Sequence, residues 1–323
     1  MFLKRRFIKR RLLYLVIISV FMMLMFMNNG HRFTSARMGN LPRSGKHFSS
    51  ANIQSLVIKK NYDDRYLIFN RVPKCGSMSL TSASYSLGAQ NGFKVASPYE
   101  DGEKPNKSGE EQMEFIKYLH SQTHPFMYIR HQYFIDFENF GEKQPIYINM
   151  IRDPIARFES FYYFSRFGNQ RGGGGAKLGD QKTQETIDEC VQKRRQECTK
   201  PYWQVVPYFC GQEPGCMSRS RWALDRAKEN IKNHYVFVGT LEDLDDSLKI
   251  LEHLIPRYFK NAAQSMKSQK TMKVRNETYT RNKRETSEAA KIFLRTETCL
   301  SLEYELYDFV RERLYQFKDM LLD

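Results

Sequence analysis

The segment from Tyr66 to Ser79, YLIFNRVPKCGSMS, constrains the fold of this chain more than any other segment. Its first four residues are apolar and predict a buried strand, and the residues from Leu80 onward predict a helix. Gly76 lets the backbone of the turn approach an anion closely, and Lys74 adds a positive charge. Unpaired amides of Ser77 to Ser79, at the start of the helix, favour phosphate or sulfate. The segment therefore predicts an anion site between a strand and a helix.

The order of residues in this turn limits what it can be. Its lysine comes before the glycine, whereas in a Walker A loop, G-x-x-x-x-G-K-[ST], the lysine follows the glycine. The segment is therefore not a Walker A loop. On this segment alone, an ordinary turn between a strand and a helix remains the simpler alternative.

A second candidate anion site follows another apolar run. Residues 145–151, PIYINMI, predict a strand, and Asp153 and Pro154 are the residue types that begin a helix, as N-cap and first-turn residue. Arg152 stands at the end of the strand, and Ser160 lies two turns along the helix. An arginine grips phosphate through two hydrogen bonds, and a serine hydroxyl adds a donor. The alternative is a structural Arg–Asp pair that caps the helix.

Strands and helices alternate along the rest of the chain. Residues 235–239 predict a strand, and a helix with leucines at i, i+4 and i+7 follows from Asp243. Residues 220–232 predict another helix, in which we expect Trp222 to lie in the core. This alternation predicts an α/β fold with a central, mostly parallel sheet covered by helices on both faces.

The N-terminal residues predict membrane attachment. Residues 1–11 carry six basic side chains and no acidic one, and residues 12–28 are mostly apolar. This pattern predicts a cytoplasmic tail followed by a signal-anchor helix in a single-pass type II membrane protein. A cleaved signal peptide is the alternative, although no small-x-small cleavage site is apparent. Residues 29–62 are polar and predict a stem, which leaves residues 63–323 for one lumenal domain.

The net charge indicates an acidic partner. The chain carries +15, and removing the six basic charges of residues 1–11 leaves +9. Nucleic acid is not expected in the lumen, so an acidic polysaccharide is the natural partner. The alternative is that this charge serves only solubility.

Cysteines and sequons agree with a lumenal location. Four of the six cysteines are close in sequence and predict two disulfides, Cys190–Cys198 and Cys210–Cys216. A zinc site is the alternative, but no C-x2-C spacing occurs. We expect Cys75 and Cys299 to be reduced, with a bond between them as the alternative. Asn106 and Asn276 begin N-x-[ST] glycosylation sequons.

Several motifs in one order resemble a known family. They are FNRVPK, RHQYFIDFENFG, KQPIYINMIRDPIARFESFYYFSRFG, CGQEPGC followed by SRWALDRAKENI, and YVFVGTLEDL. Together they resemble the uronyl 2-O-sulfotransferases, a family that includes the heparan sulfate 2-O-sulfotransferase, the dermatan/chondroitin uronyl 2-O-sulfotransferase and the Pipe-like group. The resemblance covers residues 64–317. It implies a P-loop-like sulfotransferase fold and 3′-phosphoadenosine 5′-phosphosulfate (PAPS) as co-substrate, with no metal.

The resemblance also implies roles for individual residues. His131 matches the family's catalytic base, and an imidazole is suited to take a proton from a sugar hydroxyl. Lys74 would stabilise charge on the leaving phosphate. The implied PAPS-binding residues are Lys74, Cys75, Gly76, Ser77, Met78, Ser79, Arg152, Ser160, Arg275 and Thr278. The implied contacts to the acidic polysaccharide are Arg71, Arg171 and Arg275. Because the family's loop at 275–278 closes over the nucleotide, we expect the Asn276 sequon to be empty or the loop displaced.

The chain departs from the family in four places. Gly172 to Gly175 replace a stretch that is rich in arginine in the heparan sulfate enzyme, and Arg130 replaces a glycine before the catalytic histidine. Cys75-Gly76-Ser77 resembles the dermatan/chondroitin branch. The heparan sulfate enzyme trimerises with the help of a tail beyond the point matching Asp323, so the resemblance does not extend to the trimer, and a homo-oligomer is left open as a partner.

The sequence thus predicts a Golgi sulfotransferase. It would move a sulfuryl group from PAPS to the 2-hydroxyl of a hexuronic acid in a glycosaminoglycan such as dermatan/chondroitin or heparan sulfate. A catalytically silent Golgi glycan-binding protein would keep the same basic groove and is the main alternative. A P-loop nucleotide kinase is the other, and it should show the Walker order and acidic magnesium ligands.

Overall fold

The computed structural model describes residues 62–98, 104–175, 184–202 and 204–322. The predicted tail, signal anchor and nearly all of the stem lie outside these residues. The strands are β1 (Asp63–Phe69), β2 (Lys94–Ala96), β3 (Phe126–Ile129), β4 (Pro145–Ile151) and β5 (Tyr235–Thr240). Among the described residues, no helix is both long enough and apolar enough to cross a bilayer.

Helices connect and cover these strands. In the first half of the domain they are α1 (Ser77–Asn91), α2 (Gly109–His120), α3 (Pro154–Phe167), α4 (Ile187–Gln192), α5 (Gln196–Thr199) and α6 (Val205–Cys210). In the second half they are α7 (Arg221–His234), α8 (Leu244–Leu254), α9 (Pro256–Phe259), α10 (Ala262–Met266), α11 (Gln269–Glu277), α12 (Glu288–Thr296) and α13 (Leu300–Leu321). Short 3-10 turns occupy Phe137–Phe140 and Pro214–Met217.

The five strands form one sheet in the order β2-β3-β1-β4-β5. Every pairing is parallel, with Leu67 opposite Met127 on one side and opposite Ile146 on the other. Strands of a parallel sheet are buried on both faces, and all seven residues of β4 are buried, including the polar Asn149, which donates hydrogen bonds to Asn70. The predicted α/β architecture with a parallel central sheet is confirmed.

Successive residues of β1 point into two different cores. Tyr66 and Ile68 pack with α3, α6 and α7 on one face, and Leu67 and Phe69 pack with α1, α8 and α13 on the other. This alternation follows from the two-residue period of a strand. Helices therefore cover both faces of the sheet, as predicted.

The strand order creates a crevice at the carboxyl ends of β1 and β4. From β1 the chain moves to one edge of the sheet for β2 and β3, and then crosses to the opposite side of β1 for β4. In open α/β sheets, ligands bind where the strand order reverses in this way. The turn after β1 and the start of α3 therefore face the same space.

Two sequence predictions about local structure had different outcomes. Asp153 caps α3, because its Oδ1 accepts a hydrogen bond from the amide of Ala156 at 2.8 Å. The prediction that Trp222 lies in the core is wrong, since 48% of its surface is exposed. Its ring covers Gly215 instead, where an added Cβ would lie 2.7 Å from the indole.

Both predicted disulfides are present. Cys190–Cys198 joins α4 to α5, and Cys210–Cys216 joins the end of α6 to the following 3-10 turn. Cys75 and Cys299 are free thiols.

Candidate active site

The turn after β1 has a backbone that few residues adopt. Lys74 and Gly76 have φ angles of 67° and 72°. The left-handed region is unfavourable for a residue with a side chain, and strain of this kind gathers at functional sites. A Cβ on Gly76 would lie 2.6 Å from Cδ1 of Leu241, so only glycine fits between this turn and the end of β5.

The first turn of α1 is left open for an anion. Gly76 is its N-cap and offers no side chain to the free amides, and the first turn contains no acidic residue. Ser79 donates its amide back to the Gly76 carbonyl at 3.2 Å. The earlier amides of the helix point their N–H groups and the positive end of the helix dipole toward the crevice.

Arg152 and Ser160 face the same crevice from β4 and α3. Arg152 follows the last residue of β4, where the parallel strands end together. Ser160 is buried, and its Oγ lies 3.3 Å from Oγ1 of Thr280. The segment around Thr280 is held on α3 by a second contact, because Nζ of Lys283 lies 2.8 Å from Oε2 of Glu159.

One cleft, about 610 Å³ in volume, collects these groups. All ten residues predicted to bind PAPS line it: Lys74, Cys75, Gly76, Ser77, Met78, Ser79, Arg152, Ser160, Arg275 and Thr278. Its volume is within the usual range for small-ligand sites. The lining also includes groups that sequence reasoning missed. These include the segment that follows β5, Leu241 to Asp246, together with the Thr280 hydroxyl and the Lys283 ammonium.

Lys74 is held in an unusual electrostatic environment. Burial and the nearby positive charge of Arg152 lower the pKa of its ammonium to about 8. The ammonium lies 3.8 Å from the centroid of the Phe164 ring, where a cation is attracted to the aromatic face. A bound anion between Lys74 and Arg152 would offset their repulsion, so this part of the cleft is suited to phosphate or sulfate.

His131 lies next to Arg71, outside the residues that line the cleft. Its Nδ1 is 2.8 Å from the backbone carbonyl of Arg71. A carbonyl can only accept, so the neutral ring carries its proton on Nδ1 and leaves Nε2 with a free lone pair. Burial and the charge of Arg71 lower the His131 pKa to about 4. The imidazole is therefore neutral near pH 7, as a base must be.

Arg71 is a buried cation at the edge of the cleft. Only 8% of its surface is exposed, and its Nη1 donates to Sδ of Met78, a cleft residue, at 3.1 Å. Within the described part of the chain, its Nε has no hydrogen-bond partner. Burial and the like charge of Arg130 lower its pKa. Arg71 thus places a buried positive charge beside His131 at the edge of the cleft.

The other predicted polysaccharide contacts lie elsewhere. Nε of Arg171 donates to Oε2 of Glu277 at 2.7 Å, which ties the loop after α3 to the end of α11, and Arg171 does not line the cleft. Arg275 does line it. Arg171 is thus paired with Glu277 outside the cleft lining, and its contact with the polysaccharide stays a prediction.

Both predicted glycosylation sequons are exposed. Asn106 is accessible before α2, and Asn276 is accessible on α11 between the cleft residues Arg275 and Thr278. A glycan on Asn276 would stand next to this 610 Å³ cleft, which we call the nucleotide cleft after its predicted ligand. The expectation that this sequon is empty therefore stays a prediction.

Cys75 lines the cleft, but its thiol is unreactive at neutral pH. Its thiol is buried, and burial raises its pKa to about 12. It is therefore protonated at neutral pH and a poor nucleophile.

One group of possible metal ligands occurs among the described residues, namely Glu185, Cys190 and Glu197. Cys190 is already bonded to Cys198 in a disulfide, so its sulfur is not free to bind a metal ion.

Comparison with known proteins identifies the class. A parallel α/β sheet whose switch point carries an anion-binding turn fits the sulfotransferases, and residues 56–310 match the model of the sulfotransferase family. The chain belongs to this family.

Two groups of relatives are similar to it. Uronyl 2-sulfotransferase from Mus musculus is 37% identical over 262 residues, which are 79% of this chain and 63% of the relative. Heparan sulfate 2-O-sulfotransferase 1 from Xenopus laevis is 37% identical over 279 residues, 84% of this chain and 76% of the relative. The Homo sapiens form of the latter is 37% identical over 262 residues, with 79% and 72% covered. The chain thus spans less than two thirds of the uronyl 2-sulfotransferases that it matches.

Proposed function

We propose that this protein transfers a sulfuryl group from PAPS to the 2-hydroxyl of a hexuronic acid in a glycosaminoglycan. Relatives named for heparan sulfate and for uronyl acceptors are equally identical to the chain, at 37%, so identity does not choose between these acceptors. The observation that carries the proposal is the position of His131 and Arg71 at the edge of a cleft that collects all ten PAPS-binding candidates.

The donor would be held at two ends. The amides of α1 and Lys74 would bind the 5′-phosphosulfate, while Arg152 and Ser160 would bind the 3′-phosphate. Fixed donors of this kind need no reorganisation as charge develops on the departing phosphate oxygen. Arg275, Thr278 and Lys283 would close the cleft from the other side.

The acceptor would approach from the His131 side. Arg71 would bind the uronic acid carboxylate, and Nε2 of His131 would take the proton from the 2-hydroxyl. In the in-line step the sugar oxygen forms a bond to sulfur as the bond from sulfur to the 5′-phosphate oxygen breaks. The products are the sulfated sugar, 3′-phosphoadenosine 5′-phosphate and a protonated His131. The step needs no metal, and the absence of a metal stays a prediction.

The proposed setting is the Golgi membrane, with the catalytic domain in the lumen. The basic flank and apolar run of residues 1–28 support a type II signal anchor, and two disulfides support an oxidising compartment. A homo-oligomer also stays a prediction.

The test is sulfate transfer from radiolabelled PAPS to a panel of desulfated polysaccharides by the purified full-length protein. The wild type should label at least one uronic-acid polymer, His131→Ala should not, and His253→Ala, which changes an exposed histidine on α8, should match the wild type. A silent glycan-binding protein would bind the polymers and label none. Preference for ATP over PAPS would indicate a kinase instead.

A further inference from the structure

A second cleft, about 490 Å³ in volume, lies beside the carboxyl-terminal half of α3. It shares no lining residue with the nucleotide cleft. Its charged lining consists of four basic and two acidic side chains, which are Arg166, Arg195, Lys200, Arg219, Glu185 and Glu197. The difference, four minus two, leaves a net charge of +2 in the cleft. Such a cleft attracts an anionic ligand.

Two of these cations are not neutralised by carboxylates. Glu197 pairs with Arg166 at 2.5 Å, and Glu185 pairs with Arg195 at 3.3 Å. Arg219 donates only to backbone carbonyls, those of Lys200 at 3.4 Å and Pro201 at 3.1 Å. Within the described residues, neither Lys200 nor Arg219 has an acidic partner. Both are exposed and free to meet an anion from solvent.

A buried cation, Arg166, forms the back of this second cleft. Arg166 is almost fully buried, and its guanidinium lies 3.4 Å from the centroid of the Tyr162 ring. Its Nε has no hydrogen-bond partner among the described residues. That atom is enclosed by protein, so a ligand in the cleft does not reach it. Arg166 therefore contributes positive charge at the back of the cleft, and the exposed side chains of Lys200 and Arg219 supply the accessible donors.

An aromatic platform adjoins the cations. The rings of Phe161 and Tyr202 stack with 6.2 Å between centroids and 15° between planes. Tyr202 is 53% exposed, which is unusual for so large a ring. A flat aromatic face with cations beside it matches an acidic sugar, whose ring has an apolar C–H face and whose edge carries carboxylate or sulfate.

Two series of side-chain contacts connect the lining of the second cleft with Lys74 and with His131. Phe161 and Phe164 are one turn apart on the same face of α3, and the Lys74 ammonium lies on the Phe164 ring. On the acceptor side, Tyr202 is close enough to Tyr208 to help raise its pKa, behind burial and Tyr133. The Tyr208 ring in turn packs edge-on against His131 at 6.5 Å.

We propose that this second cleft is an acceptor subsite, which binds an acidic sugar of the same polysaccharide chain at a distance from the uronic acid that receives sulfate. Tyr202 and Phe161 support the sugar ring, and Lys200 and Arg219 bind its carboxylate or sulfate. The inference rests on the proposed function. The consequence of this subsite is that the protein binds long oligosaccharides of the acceptor more tightly than short ones.

The experiment compares the affinity of the full-length protein for dermatan sulfate and heparan sulfate tetrasaccharides and dodecasaccharides. The variants are Lys200→Ala/Arg219→Ala and Tyr202→Ala, with Lys117→Ala as a control that removes one exposed charge on α2. The double variant should bind the dodecasaccharide at least about tenfold more weakly, because two charge-assisted contacts are lost. Tetrasaccharide affinity should change by less than about twofold, so the preference for length collapses.

Two outcomes would overturn the subsite. In one, the double variant binds the dodecasaccharide as Lys117→Ala does. In the other, it loses affinity equally for both lengths, which shows a general effect of charge. Binding of 3′-phosphoadenosine 5′-phosphate and sulfate transfer are measured in the same preparations. If the wild type does neither, the proposed function fails, whereas the length dependence of oligosaccharide binding still reports on this cleft.

Discussion

Nδ1 of His131 donates to the backbone carbonyl of Arg71 at 2.8 Å, while burial and the charged side chain of the same arginine lower the histidine pKa to about 4. Arg71 therefore sets the tautomer of His131 through its backbone and, together with burial, keeps the ring neutral through its side chain. An acceptor carboxylate bound at Arg71, as proposed, would offset that positive charge and raise the His131 pKa.

Replacement of His131 by alanine should lower kcat by about 10²–10⁴-fold, the usual contribution of a general base. Binding of 3′-phosphoadenosine 5′-phosphate should not change, because His131 does not line the nucleotide cleft. Transfer assays and calorimetry measure the two effects. A variant that has lost nucleotide affinity in parallel with activity would show a structural role for His131 in place of the catalytic one.

The pH dependence of kcat/KM, which reports on the free protein, should differ from that of kcat, which reports on the complex with substrate. His131 must be neutral to accept a proton, so kcat/KM should hold above pH 4 and fall as the pH drops through about 4. A bound acceptor carboxylate near Arg71 favours the imidazolium, so the acid limb of kcat should lie at higher pH than that of kcat/KM. If kcat and kcat/KM fell at the same pH, the proposal that the acceptor carboxylate binds at Arg71 would be contradicted.

Replacement of Gly76 by alanine should weaken nucleotide binding and lower stability. Its φ of 72° costs about 1–3 kcal/mol for a residue with a side chain. The new Cβ would also press on Leu241 in the cleft wall, at 2.6 Å. Gly92→Ala is a matched control, since Gly92 has a φ of 75° but nothing within 4 Å of the added Cβ. Denaturant melts and nucleotide titrations should show that only Gly76→Ala loses affinity.

The two free cysteines should resist alkylation. Burial raises the pKa of Cys75 to about 12 and that of Cys299 to about 11, so neither forms thiolate near pH 7.5. Native protein treated with iodoacetamide should gain no label in intact-mass spectra, and denatured protein should gain two. Rapid native labelling of Cys75 would mean that the turn opens.

The buried ion pair between Arg157 and Glu303 should be important for stability. Nη2 of Arg157 lies 3.2 Å from Oε2 of Glu303, and the other carboxylate oxygen, Oε1, accepts hydrogen bonds from the amides of Gln204 and Val205. Arg157→Met leaves a buried charge unpaired and should cost about 3–5 kcal/mol in unfolding free energy. The exposed pair of Arg221 and Glu305 is the control, and Arg221→Ala should shift the melting temperature little. Equal shifts would contradict this difference.

Much of the site could be predicted because it is local in sequence. The turn at Lys74 to Ser79 and the start of α3 at Arg152 each follow an apolar strand directly, so strand, anion turn and helix are visible in one stretch of residues. The parallel sheet then brings these two turns to the same edge. The two disulfides were also predictable, because their partners are eight and six residues apart.

What could not be predicted depends on long-range contacts. Thr280 meets Ser160 across 120 residues, and no local pattern marks it. Trp222 has the spacing of a core residue on α7, yet it covers Gly215 at the surface because that glycine leaves room for the ring. The ion pair between Arg171 and Glu277, which are 106 residues apart, also has no signal in the local sequence.

The sequence by itself determined the class of fold and the position of the strand, turn and helix around Lys74, because apolar periodicity and glycine position are properties of neighbouring residues; the assignment of His131 as the base comes from motif resemblance and stays a prediction. Only the tertiary structure decided the protonation states of the side chains in and beside the cleft. The pKa values of His131 and Lys74 depend on burial and on charges brought close by packing, and the cation-lined second cleft exists only where α3 meets the segments around Lys200 and Arg219.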